Sequence, residues 1–196
     1  MASAIGFALG LRLSPRNELC TQGIPAKVLA TDYHNLAALL TRLWPVRNLR
    51  PILIGNDCNP NPEYIEEWLP LVSSVLDVFT YHSYDGFGGD AQLATEIMTP
   101  QFLQQTITKN QRIFDLHTQY APASQIWVGE GAAAWRGGRT GVTNAWADSF
   151  WWADALAALA ARNHTGFCRQ TLVGGDYGSS LGLAQNTGLV LDNTTI

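Results

Sequence analysis

Segments with the apolar pattern of strands alternate along this chain with segments that have the apolar spacing of helices, and this order limits the folds open to it. Apolar residues between positions 27 and 44 are spaced by four and three residues, which predicts an amphipathic helix. Regular alternation of this kind implies parallel strands joined by right-handed crossovers. Strands are predicted at residues 5–9, 51–55, 75–82, 125–129 and 166–173, and helices at residues 27–44, 62–69, 100–120 and 143–161.

Two helix starts carry a strong local signal. Asn61-Pro62 and Thr99-Pro100 each place a capping side chain before a proline at the first helical position. In the helix at residues 143–161, the tryptophans are predicted to lie in the core rather than on a sugar.

Polar residues cluster where the predicted strands end. Several strands that deliver polar groups to one face are typical of the active site of a barrel. The sequence has neither a GxGxxG nor a GxxxxGK[ST] loop, so nucleotide binding has little support. The strand-end groups are Asn56-Asp57, His82-Ser83-Tyr84-Asp85, Glu130, Arg169-Gln170 and Gly174-Gly175-Asp176-Tyr177.

Composition narrows the class of protein. The 196 residues are 46% hydrophobic and 14% charged, as expected for a soluble globular domain with a sizeable core. A net charge of -4 without a basic run argues against a nucleic-acid partner. No apolar stretch approaches the roughly 20 residues of a membrane span. Cys20, Cys58 and Cys168 form no CxxC pair, which indicates neither a metal cluster nor a disulfide framework.

Three motifs together resemble the heparanases and heparanase-like β-glucuronidases of glycoside hydrolase family 79, above all the plant-type members. They are Trp127-Val128-Gly129-Glu130, the segment 144–152 (NAWADSFWW) and the segment 168–178 (CRQTLVGGDYG). The resemblance covers roughly residues 23–178. It implies a (β/α)8 TIM barrel and a retaining mechanism. Because a whole barrel needs about 250 residues, the expected fold is α/β: a partial barrel, roughly strands 4 to 8, over residues 1–178. Residues 179–196 are expected to be a poorly ordered tail.

The resemblance also implies a site and a substrate. Glu130 would be the nucleophile and Glu18 the acid/base, a pair that retention places about 5–5.5 Å apart. No metal or cofactor is expected, and the substrate would be a glucuronide or a uronic-acid-containing glycan. Location is not determined by the residues; the resemblance implies an extracellular, lysosomal or vacuolar protein. The expected substrate-binding residues are Asn17, His82, Tyr84, Gly137, Gly138, Gln170 and Tyr177, whose structural alternatives are turn residues, an aromatic cluster or a polar group inside the barrel.

One departure from the family pattern leaves two functions open. Six residues, 11–16, separate Leu9-Gly10 from Asn17-Glu18, where the family joins the two pairs directly. A misplacement of about 1 Å can cost on the order of 100-fold in rate. The first hypothesis is a retaining hydrolase of β-glucuronides in truncated form. The alternative is a catalytically inactive barrel fragment with at most weak carbohydrate binding.

Overall fold

The computed structural model describes residues 7–8, 24–171 and 176–177. Asn17, Glu18, the insert at residues 11–16 and the predicted tail at residues 179–196 lie outside the described residues. The strands are β1 (Phe7–Ala8), β2 (Leu53–Asn56), β3 (Val78–Phe87), β4 (Gln125–Trp135) and β5 (His164–Arg169). The helices are α1 (Ala26–Leu43), α2 (Pro62–Val72), α3 (Leu93–Glu96), α4 (Pro100–Leu103), α5 (Gln105–Thr108), α6 (Gln111–Tyr120) and α7 (Trp146–Ala160), with a short 3-10 turn at Arg47–Leu49.

The strands form one sheet whose spatial order, β1-β2-β3-β4-β5, is also their order in the sequence. β1 pairs in parallel with β2, and Phe7 lies opposite Leu53. β2 pairs in parallel with β3, and Ile54 lies opposite Val78. Helices connect the successive strands from β2 onward. The predicted α/β class, with parallel strands and crossover helices, is confirmed.

Both central strands are longer than predicted. β3 runs on to Phe87 and β4 to Trp135, so the predicted strand ends at residues 82 and 129 are wrong. The part of β4 beyond residue 129 is Glu130, Gly131, three alanines and Trp135, and strands usually avoid glycine and alanine. Ala133 and Ala134 are nevertheless fully buried in a core cluster with Leu93 and Trp151. Packing against that cluster therefore outweighs the weak intrinsic preference of small residues for extended backbone.

The predicted helix at residues 100–120 is three helices instead of one. It starts as predicted, because the Thr99 side chain accepts a hydrogen bond from the Phe102 backbone N–H. α5 then ends before Asn110, whose buried amide donates to the Ser83 hydroxyl at 2.9 Å and to the Thr106 carbonyl at 2.9 Å. A side chain that bonds the backbone in this way competes with helix continuation.

The described residues fall into two compact units, and β3 and β4 each run through both. The first unit draws its described residues from Met1–His82 and Gln111–Gly129. Its core contains Trp68, which is fully buried, with Tyr33 edge-on at 5.2 Å between ring centroids. α2 packs between α1 and α6, and Asn61 caps α2 by accepting the Tyr64 N–H at 2.8 Å.

The second unit draws its described residues from Ser83–Asn110 and Glu130–Ile196. Its core cluster places Trp151 of α7 against Leu93, Phe102 and the alanines of β4. The predicted core position of Trp151 is confirmed, since 1% of the residue is exposed. The same prediction is wrong for Trp146, which is 53% exposed. α7 buries the side that carries Trp151 and Ala155, and Trp146 lies outside that stripe.

Cys58 is disulfide-bonded, although the cysteine spacing indicated no disulfide framework. Cysteine spacing along a sequence does not report which thiols the fold brings together.

Among the described residues, no helix is long and apolar enough to cross a membrane.

Candidate active site

Glu130 and Tyr84 form the centre of the candidate site, in the second unit. Glu130 lies in the middle of β4 and Tyr84 in the second half of β3, and both are half-buried. The Tyr84 hydroxyl donates a hydrogen bond to Glu130 Oε1. A hydrogen bond to a carboxylate is stronger than one between neutral groups, and it restricts the rotation of the acceptor. The phenol therefore fixes the orientation of the carboxyl group.

Tyr177 extends this pair towards the glycine turn. Its ring centroid lies 6.5 Å from that of Tyr84, and its hydroxyl oxygen accepts the Gly137 N–H at 2.7 Å. Burial raises the pKa of the Tyr177 hydroxyl, and the negative charge of Glu130 adds to the rise. The hydroxyl thus keeps its proton and can act as a donor.

The turn at Gly137 and Gly138 is structured and requires glycine. The two residues have φ values of +85° and +77°, in the left-handed region. A Cβ at Gly138 would also lie 2.7 Å from the Asp176 carbonyl oxygen. Thr143 completes the turn, since its hydroxyl donates to that same oxygen at 2.6 Å. The alternative of an ordinary flexible turn does not describe this segment.

His82 and Gln170 have contacts of their own. His82 belongs to the first unit, where its Nε2 lies 3.6 Å from Oδ1 of Asp57, just after β2. Gln170 directly follows β5, and its backbone N–H donates to the Gly131 carbonyl at 2.8 Å. Of the predicted site residues, the structure thus brings together Glu130, Tyr84, Gly137, Gly138 and Tyr177.

Asp85 was expected among the strand-end polar groups, and the structure buries it in the second unit, where 2% of the residue is exposed. Its Oδ2 accepts the Trp151 indole N–H at 2.6 Å and the Thr106 hydroxyl, while Lys109 donates to its backbone carbonyl. Burial raises its pKa to about 6, although these donors oppose the rise. Side chains of successive strand residues point to opposite faces of a sheet. If the predicted strand had been extended past His82, this alternation would have placed Asp85 and Tyr84 on opposite faces.

Arg169 forms a structural ion pair. Its guanidinium bonds Oδ2 of the buried Asp148 and lies 4.9 Å from the ring centroid of Trp152. Burial raises the Asp148 pKa to about 6, although the Arg169 charge opposes the rise. Arg169 therefore ties the end of β5 to α7.

Comparison with known proteins gives one family. The family model described as glycosyl hydrolase family 79, N-terminal domain, matches residues 8–157. Heparanase-like protein 3 of Arabidopsis thaliana is 32% identical over 167 residues, which cover 83% of this chain and 31% of that protein. Baicalin-beta-D-glucuronidase of Scutellaria baicalensis is 27% identical over 158 residues, 80% of this chain and 30% of that protein. The chain therefore spans about a third of the length of these relatives.

Solved structures show the same fold at low sequence identity. A family 44 xyloglucanase of Paenibacillus polymyxa aligns with a TM-score of 0.56 and 14% identity, over 82% of this chain and 40% of that one. A 4-O-alpha-L-rhamnosyl-beta-D-glucuronidase of Fusarium oxysporum aligns with a TM-score of 0.51 and 17% identity, over 76% of this chain and 33% of that one. The likeness to these structures and the parallel strands of the sheet together show that the fold is part of a TIM barrel, as predicted.

Proposed function

Because this chain belongs to glycosyl hydrolase family 79, we propose that it is a heparanase-like glycoside hydrolase that cleaves β-glucuronides with retention, and that Glu130 is its nucleophile. The observation that carries the proposal is the hydrogen bond from Tyr84 to Glu130 beside the turn anchored by Tyr177. A carboxylate oriented by a phenol hydroxyl, next to donors for an anionic substrate, suits attack on a uronic acid.

In the proposed reaction, Glu130 attacks the anomeric carbon and forms a glycosyl-enzyme ester while the leaving oxygen takes a proton. Water then cleaves the ester and restores the carboxylate. Tyr84 aims the carboxylate before attack and stabilises it again when it leaves. Glu18 remains the sequence-based candidate for the acid/base, with Asn17 for the sugar 2-hydroxyl.

The uronic acid carboxylate is proposed to lie at the glycine turn. The Tyr177 hydroxyl already accepts the Gly137 N–H, which polarises the hydroxyl as a donor. Backbone N–H groups in left-handed turns also bind anions. Together these groups favour a sugar that carries a carboxylate over a neutral one.

Covalent labelling tests the nucleophile. A mechanism-based uronic acid aziridine is expected to modify Glu130, as located by peptide mass spectrometry, and Glu130→Gln should remove the label. Glu63→Gln, at an exposed carboxyl on α2, is the matched control and should label normally. If folded protein takes up no label, the proposal is wrong; glucuronide binding by that unlabelled protein would favour the non-catalytic alternative.

Loss of the Tyr84 hydroxyl tests its role separately. Tyr84→Phe is expected to lower kcat on the order of 100-fold, the scale for removing one donor to a reacting oxygen, and to leave KM nearly unchanged. Tyr64→Phe removes a hydroxyl bonded to the Ile24 carbonyl in the first unit and should leave kcat unchanged. Equal effects of the two variants on kcat would contradict a specific role for Tyr84.

A further inference from the structure

Two aromatic rings and a guanidinium are presented where β3 and β4 end. Phe87 and Trp135 are the last residues of these strands, and their ring centroids lie 4.8 Å apart. Trp135 is 50% exposed. Arg136 places its guanidinium carbon 5.7 Å from the centroid of the Phe87 ring, a cation–π geometry. We call Phe87, Trp135 and Arg136 the aromatic platform.

The backbone around the aromatic platform is built to hold it. The Gly88 N–H donates to the Trp135 carbonyl at 3.0 Å. A Cβ at Gly88 would lie 2.1 Å from the Gly138 carbonyl oxygen, and a Cβ at Gly89 would lie 2.5 Å from the Phe87 ring. Glycine at position 88 lets the backbone after β3 approach the backbone after β4, and glycine at position 89 leaves room for the Phe87 ring. Rings held in this way lose little conformational entropy when a ligand covers them.

The aromatic platform is continuous with the proposed glucuronide site. Arg136 has φ of +63° and leads directly into Gly137. The Gly137 N–H bonds Tyr177, the Tyr177 ring meets Tyr84, and Tyr84 bonds Glu130. A glycan whose terminal sugar lies at Glu130 and the glycine turn therefore has the platform as neighbouring surface.

We infer that the aromatic platform is a subsite for the adjoining sugar of an acidic glycan, which stacks on Trp135 while its carboxylate or sulfate pairs with Arg136. This inference rests on the proposed function. The C–H face of a sugar ring is apolar and flat enough to lie on an exposed indole, and a guanidinium can donate two hydrogen bonds to two oxygens of a carboxylate or of a tetrahedral oxyanion. The chain carries a net charge of -4, so a polyanionic substrate needs such a local cation. An uncharged aryl aglycone would use the rings but leave Arg136 without a role.

Binding to the full chain carrying Glu130→Gln tests the inference without turnover. The titrants for calorimetry are a uronic-acid hexasaccharide, glucuronic acid and phenyl β-D-glucuronide. Adding Trp135→Ala is expected to weaken hexasaccharide binding about 10-fold, the upper scale for one aromatic contact, and glucuronic acid binding less than about 2-fold. Arg136→Gln should weaken hexasaccharide binding and reduce its salt dependence.

Trp146→Ala is the matched control, because Trp146 is equally exposed at 53% and also contacts an aromatic ring, that of Phe150. It should bind all three titrants as the parent does, and unfolding midpoints confirm that each variant is folded. If Trp135→Ala binds the hexasaccharide like the parent, or weakens the phenyl glucuronide equally, the inference is overturned. Covalent labelling of Glu130 in the wild-type chain distinguishes that result from a failure of the proposed function. If Glu130 is labelled and Trp135→Ala binds the hexasaccharide normally, only the platform is rejected. If Glu130 is not labelled but Trp135→Ala weakens hexasaccharide binding, the platform is supported as a glycan site and the nucleophile is rejected.

Discussion

At the scale of single residues, two neighbours on β3 have contrasting surroundings. Tyr84 donates to the half-buried Glu130, whereas Asp85 is enclosed with Trp151 and Thr106. Oδ1 of Asp85 is buried and has no hydrogen-bond partner. An ionised carboxyl group in such a place is destabilised by lost solvation. The raised pKa of Asp85, about 6 against an ordinary 3.8, follows from this burial.

Asp85 should therefore make stability depend on pH in a definite direction. The folded protein holds this proton more tightly than the unfolded chain, so the contribution of Asp85 is fully present below about pH 4 and is lost as the pH rises through about 6. The loss amounts to at most about 3 kcal/mol. Asp85→Asn cannot titrate and should lack this fall. Urea unfolding of both proteins between about pH 4 and 7 measures the difference in their free energies of unfolding. Asp148 is present in both proteins, so its titration does not contribute to this difference.

The control for this prediction is Asp90→Asn, at an exposed carboxyl in the same unit. This variant leaves Asp85 in place, so the fall in its free energy of unfolding as the pH rises through about 6 should remain. A difference between wild type and Asp85→Asn that stays constant with pH would contradict the assignment.

At the scale of elements, the late halves of β3 and β4 and the turn that follows decide where the site groups lie. Glu130 is five residues before the end of β4. The chain then turns sharply at Gly137 and Gly138 and meets Asp176 through an isolated bridge. The two glycines share a left-handed backbone but differ in their surroundings. A Cβ at Gly137 meets nothing within 4 Å, whereas one at Gly138 meets backbone.

Alanine substitutions at Gly137 and Gly138 should distinguish the cost of a left-handed backbone from the cost of a steric contact with neighbouring backbone. Gly137→Ala is expected to cost about 1–2 kcal/mol, the penalty of a left-handed conformation for a side chain with a Cβ. Gly138→Ala adds a contact at 2.7 Å with the Asp176 carbonyl and should lower the free energy of unfolding further. Urea unfolding measures both losses, and Gly137→Ala serves as the control. Equal losses would show that the close contact at Gly138 adds no cost to the left-handed backbone.

At the scale of the whole molecule, the described residues form two units, and a disulfide bond at Cys58 stabilises the fold. β3 and β4 each contribute residues to both units. Cys58 is disulfide-bonded and buried in the first unit. A disulfide lowers the entropy of the unfolded chain and persists mainly in oxidising compartments. The resemblance implies an extracellular, lysosomal or vacuolar location, and the bond is consistent with the extracellular one.

Loss of the disulfide should destabilise the chain measurably. Cys58→Ser is expected to lower the free energy of unfolding by about 2–5 kcal/mol. Dithiothreitol should lower the stability of the wild type and leave Cys58→Ser unchanged. Cys168→Ser, at an exposed thiol, is the control and should keep the sensitivity to reductant. A Cys58→Ser protein as sensitive to dithiothreitol as the wild type would contradict the assignment of the bond.

The sequence by itself determined the features that depend on neighbours along the chain. Helix starts at Asn61 and Thr99 follow from local capping chemistry, and the structure confirms both. The alternation of strands and helices gave the parallel α/β class, because crossovers between successive strands leave few topologies. The motif that ends at Glu130, together with the segments 144–152 and 168–178, gave the family, because their combined residue types and spacing are specific.

Only the tertiary structure decided the features that depend on partners distant in sequence. The continuation of β4 past Glu130 needs the core cluster against which its alanines pack, and Asp85 turns inward because Trp151 offers a donor there. The same holds for Asn110, whose bond to Ser83 ends a helix that local pattern continues. Local propensity differs between such alternatives by only about 1 kcal/mol per residue. Burial and hydrogen bonding across space are of the same size or larger, so they set the outcome.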